Sequence, residues 1–321
     1  AWLTASGSLL AGVGYALSLR WSYAPWLIVI GAIMNLAVLM DLMKSRSARQ
    51  SNRDNRIILT MLCFGMLLIA VLALAQLQAE RFAFAVLGPD DGFTLRTLRL
   101  ARVAAIVLPV LSLLYQGLVD RTDPSDRVAA WGRLGMICGT VGMATLLLAA
   151  GVISSNLKVL LVIPSVAIFA GVVCGFPLAR RHAAPLEAWG WFLIALSMAA
   201  GLLMGLYAFA NPWVTLEFPG EYNDYARRVI RLAHVDCVIL GLSAIFLARE
   251  IKPISGSQRR IALPSLVVGS IITITMPLLL LLTNFSSALL SIGPALVTAA
   301  IVFCVASHSP AARAGAHYTR R

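Results

Sequence analysis

Charge is scarce in this chain. Asp, Glu, Lys and Arg together make up 12% of its 321 residues, about half the share found in a soluble domain. Hydrophobic residues reach 60%, above the roughly 45–50% that a soluble fold carries. So few charges cannot cover a globular surface, and so many apolar side chains exceed one buried core. The composition excludes a soluble domain and fits a polytopic membrane protein.

Patterns that carry chemistry are equally thin. The five cysteines, Cys63, Cys138, Cys174, Cys237 and Cys304, all fall in apolar stretches and form no C-x-x-C or other metal spacing. They read as small packing residues. There is no G-x-S-x-G, P-loop or H-E-x-x-H motif, so no nucleophile elbow, phosphate cradle or zinc-protease helix is expected. Histidines number four, and no chain of Asp, Glu or His crosses an apolar stretch, as the path of an ion-coupled pump requires. No charged n-region with a cleavage site opens the sequence, so no signal peptide is read. The net charge of +12 lacks basic runs interleaved with aromatics, and no nucleic-acid partner is expected.

What the chain does have is length in apolar runs. Ten stretches approach the roughly 20 residues that a spanning helix needs: 3–19, 26–43, 57–77, 100–119, 134–153, 159–178, 189–209, 229–247, 263–282 and 288–306. They are continuous rather than alternating, which favours helices over barrel strands. The fold class expected is therefore all-α and integral to the membrane, with ten transmembrane helices. The linkers after the even-numbered spans, with the tail, hold 17 of the 26 Lys/Arg. By the positive-inside rule this places both termini in the cytoplasm of a bacterial-type inner membrane. Trp21, Trp26 and Trp213 then mark outer span ends, and Trp131, Trp189 and Trp191 inner ones, where amphipathic rings favour the interface. Small-residue pairs such as Gly135/Gly139, Gly171/Gly175 and Gly201/Gly205 suit close helix packing, and Asn35 within a span suits a bond to a neighbouring helix. Pro164, Pro277 and Pro294 fall within spans and are candidate kinks.

The sequence also repeats itself. At an offset of 132, Gly88 pairs with Gly220, Phe93 with Tyr225, Arg96 with Arg228, Arg99 with Arg231, and Leu100, Ala101 and Val103 with Leu232, Ala233 and Val235. At an offset of 130, Gly139 pairs with Gly269, Pro164 with Pro294 and Cys174 with Cys304. The unit is four helices with a long outer loop after the first, repeated in the same orientation. The organisation expected is a half repeat over 1–43, a full repeat over 44–182, and a second full repeat with a basic tail over 183–321. With a helix pair added upstream, this plan is three arcs of four helices, which resembles the catalytic subunit of haem-copper oxidases in architecture alone. That family binds its metals through several intramembrane histidines. Here only His234 lies in a predicted span, so oxidase chemistry is not carried over.

Candidate site residues come from the repeated stripe. Arg96, Arg99 and Arg102 are spaced by three, as are Arg228, Arg231 and His234, which on a helix gathers each trio near one face. These stripes enter the membrane from the outer side. They read as interfacial cations that pair with phosphates or with the loop acids Asp90, Asp91, Glu217, Glu221 and Asp224, or that form a headgroup or docking site. The copies diverge where His234, Asp236 and Cys237 replace Arg102, Ala104 and Ala105. An Asp within a span costs about 2.5–3.5 kcal/mol at mid-helix, so that divergence has to be offset by something. His234 and Cys237 share a face and are the candidate cofactor ligands, for a haem or metal. An interhelical hydrogen bond from His234 is the plainer reading.

These observations lead to an expected integral membrane subunit of a larger complex of respiratory or electron-transfer type, giving scaffold and lipid or quinone contacts and one candidate haem position. The expected partners are the lipid bilayer and other membrane or outer-face subunits. The alternative is a permease for a small apolar or weakly polar solute, and a membrane enzyme acting near His234 and Asp236 is the third class.

Overall fold

The structure is a computed structural model and describes residues 24–47, 58, 60–67, 93–122, 125–182, 184–208, 225–250, 264, 266–273 and 275. Every regular element among these is helical. In chain order they are α1 (Ala24–Ser47), α2 (Phe93–Val119), α3 (Arg127–Val152), a 3₁₀ segment (Ser155–Leu161), α4 (Val162–Arg181), α5 (Pro185–Ala208) and α6 (Tyr225–Glu250). Residues 60–67 and 266–273 are also helical. Among the described residues, five helices are long and apolar enough to cross a membrane: Arg96–Val119, Arg127–Val152, Ser155–Arg181, Pro185–Leu202 and Val229–Arg249. The chain is thus a helical membrane protein. The expected spans 3–19 and 288–306 lie outside the described residues, as do half of 263–282, more than half of 57–77 and the loop acids named above.

The helices outrun the apolar stretches that announce them. The span expected from residue 100 is helical from Phe93, and that expected from residue 229 is helical from Tyr225. Apolar composition marks only the lipid-buried part of a helix. The polar first turns continue the same backbone hydrogen bonding because Arg and Leu are good helix formers. Pro164 falls in the first turn of α4, where a missing N–H costs little. Among the described residues, the prolines inside helices are Pro109 of α2 and Pro177 of α4.

By its contacts the chain divides into two compact units: Ala1–Gly117 with Arg133–Ile168, and Leu118–Gly132 with Phe169–Arg321. In the first unit α2 and α3 are antiparallel and joined by polar side chains. Ser112 Oγ lies 2.7 Å from Thr140 Oγ1, and Thr140 Oγ1 donates to the Leu108 carbonyl at 3.4 Å. Pro109 has no N–H, so it leaves the Ala105 carbonyl without its intrahelical donor. Gly65 packs there, so close that a Cβ would stand 2.5 Å from the Ala105 oxygen. Gly139 of α3 likewise admits Pro164 and Ile168 of α4; a Cβ there would meet Ile168 Cγ1 at 2.4 Å. Ile28, Val29 and Ala32 of α1 form a small cluster with Met66 and Ile106.

In the second unit α4, α5 and α6 pack as successive antiparallel helices. Gly175 of α4 receives the face of Trp191. That residue is fully buried, so it does not belong to the interfacial belt in which the sequence placed it. Trp131, near the start of α3, is 69% exposed. Gly190 and Gly241 face each other across α5 and α6; a Cβ on either would approach the other's carbonyl oxygen to 2.6–2.7 Å. Such small-residue contacts let backbones close up where lipid supplies no hydrophobic drive between helices. The outward faces stay apolar: on α6, Val235, Ile239 and Phe246 are exposed while Ala233, Cys237, Leu240 and Ala244 are buried.

Candidate functional site

His234 stands nine residues into α6, roughly 13–14 Å along its axis. It meets α5 at Ser197, close to that helix's midpoint. The sequence pattern counted it in the outer-face stripe; in the fold its contact is with the middle of α5. The ring lies against Gly201, where a Cβ would approach Cε1 to 2.8 Å. Only a glycine leaves room for the imidazole between these helices.

The hydrogen bonds fix the ring's tautomer. Nδ1 is 2.7 Å from the Ser197 carbonyl oxygen, which can only accept, so Nδ1 carries the proton. The Ser197 hydroxyl sits 2.8 Å from Nδ1 and donates to the His234 carbonyl at 2.8 Å. The interhelical bond expected from His234 is therefore present, made to a backbone carbonyl. Nε2 of the neutral ring is left with its lone pair. Cys237, one turn on, is buried, and Asp236 is half-buried. Among the described residues no group of three or more His, Cys, Asp and Glu gathers to hold a metal ion.

The matching stripe on α2 is helical throughout. Arg96 and Arg102 are half-buried and Arg99 is exposed. Thr97 between them is fully buried. Lys158 of the 3₁₀ segment lies 5.9 Å from the centre of the Phe93 ring, a cation–π distance. On α6, Arg231 is half-buried, and the side chain of Arg228 lies outside the described residues.

Among the described residues, the densest polar site is one that the sequence did not single out. Glu187, in the first turn of α5, is 1% exposed. Arg121, just past α2, donates to both carboxylate oxygens at 2.9 and 3.1 Å. Arg249, at the end of α6, donates to Oε1 from Nε at 3.0 Å and from Nη2 at 2.7 Å. Beside it Asp126 caps α3 by accepting from the Val128 amide at 2.8 Å, and its other oxygen pairs with Arg181. Thr122 bonds His182 at 3.1 Å. A buried carboxylate is costly unless it is paired and hydrogen-bonded, and here two guanidinium groups and the positive end of the α5 dipole stabilise it. A signal was available: Glu187 is the one acid between Asp126 and Glu217, and it follows two arginines.

No known family, curated protein or solved structure matches the chain.

Proposed function

We propose that the chain is an integral membrane subunit of a larger complex of respiratory or electron-transfer type, supplying a helical scaffold, lipid or quinone contacts, and one position for a haem-type ligand at His234. The observation that carries this reading is the orientation of that ring. Ligating histidines generally donate their second N–H to a carboxylate or carbonyl, which fixes the tautomer and raises the basicity of the ligating nitrogen. The Ser197 carbonyl takes the Nδ1 proton of His234, which leaves Nε2 as the basic nitrogen. The polar pairs Ser112–Thr140 and Ser197–His234 join helices to one another, in keeping with a scaffold. The offset between the starts of α2 at Phe93 and α6 at Tyr225 equals that of the sequence repeat. The segment at Gly65 packs on α2 as α5 packs on α6, which supports two full four-helix repeats with a half repeat before them. An inner-membrane location with cytoplasmic termini follows from the loop charge.

The test is purification of the native assembly, with visible absorption spectra and partner identification. Co-purifying subunits and a haem band lost in His234→Ala are the expected result. A lone chain without chromophore overturns it, and solute flux in reconstituted vesicles would then favour a permease.

A further inference from the structure

The end of the second unit that carries Glu187 is rich in arginine. Arg121 and Arg249 pair with Glu187, and Arg181 pairs with Asp126. Arg180 is different: it is exposed, and its described contact is with a ring, its guanidinium carbon 5.7 Å from the centre of Phe176. Among the described residues it forms no ion pair. Below it runs an aromatic seam between α4 and α5. Phe176 meets Phe192 with ring centroids 6.1 Å apart, and Phe192 stacks on Trp189 at 5.4 Å. The seam opens outward, since Phe192, Leu196 and Val173 are 41%, 44% and 43% exposed, and Ala170 is exposed too. From Arg180 to Ala170 along α4 is about 15 Å, matching the depth of one hydrocarbon leaflet, about half of 30 Å.

We infer that the α4–α5 seam is a binding site for an anionic phospholipid, with the phosphate on Arg180 and an acyl chain along Val173, Phe176, Phe192 and Leu196. Charge complementarity selects the occupant. An unmatched guanidinium at headgroup level prefers an anionic lipid to a zwitterionic one, and it engages a phosphate through two parallel N–H donors. Phe176 beneath the guanidinium holds the fork in place. Exposed apolar surface running one leaflet deep suits an acyl chain rather than a soluble anion. The site depends on α4 and α5 spanning a bilayer and not on any partner subunit.

The test uses the full chain in phosphatidylcholine nanodiscs, with a photoreactive phosphatidylglycerol as probe and labelling mapped to α4 and α5. Unlabelled phosphatidylglycerol should compete well and phosphatidylcholine poorly. Arg180→Gln should weaken apparent binding about tenfold, the effect of losing one charge-assisted contact. Arg180→Lys should keep more of it, and Phe192→Ala should weaken it without abolishing the preference for the anionic lipid. Unchanged labelling in Arg180→Gln overturns the site. So does equal competition by the two lipids, and so does competition by inorganic phosphate as strong as that by phosphatidylglycerol. If Arg180→Gln does not fold, the wild-type competition between lipids decides.

Discussion

At His234 the chemistry of one side chain is set by two residues of the neighbouring helix. Ser197 provides a carbonyl for Nδ1 and a hydroxyl beside it, and Gly201 provides space. Ser197→Ala keeps the backbone carbonyl, so it should cost only about 0.6 kcal/mol, the average for an interhelical hydrogen bond in a membrane. Gly201→Val drives a methyl-bearing carbon into the ring and should cost about 1–3 kcal/mol by overpacking. Thermal unfolding in detergent would rank the two; a larger loss from Ser197→Ala would contradict the arrangement. His234 stood out in the sequence because an ionisable residue inside an apolar run is expensive. Its partner did not, because a serine among Ala, Leu and Met carries no mark of which helix it will face.

At the scale of helices, the second unit is held by close glycine contacts along α5 and α6 and by a charged clasp at their end. Removing one partner of a buried ion pair typically costs about 3–5 kcal/mol. Glu187→Gln leaves two arginines without their counter-charge and should lose several kcal/mol in chemical unfolding. The double variant Glu187→Gln with Arg249→Gln should recover part of that loss. A neutral Glu187→Gln would show that the clasp contributes little. Gly190→Leu should also disrupt the α5–α6 pair, lowering the unfolding temperature well beyond an exposed control such as Val235→Leu. Helix existence was legible from apolar run length, and three of the close contacts from the glycines at 139, 175 and 201. Helix starts were not, because polar first turns look like loops. The clasp was missed because its members lie 62 and 66 residues from Glu187, and no local pattern joins them.

For the whole molecule, the proposed topology rests on the basic ends of the spans. Ser51→Cys, in the linker richest in Lys and Arg, should react with an impermeant maleimide only from the cytoplasmic side. Ser155→Cys, at the start of the 3₁₀ segment and exposed, should react only from the outside. The reverse pattern would invert the protein and place the stripes of Arg96, Arg99 and Arg102 and of Arg228 and Arg231 in the cytoplasm. The proposed repeat rests on a fixed offset in the sequence. At that offset Ser197 stands at the position of Gly65, and the structure adds that this serine holds His234.

The clasp on Glu187 also bears on how the chain is assembled. Arg121 is synthesised before the carboxylate and Arg249 after it. When α5 leaves the ribosome its acid has one cation in reach and needs a second that does not yet exist. α5 therefore reaches its final state only once α6 has inserted and returned Arg249 to the same membrane face. A chain ending after α5 should leave that carboxylate without the two hydrogen bonds from Arg249, and it is there that quality-control proteases would find an unfinished molecule.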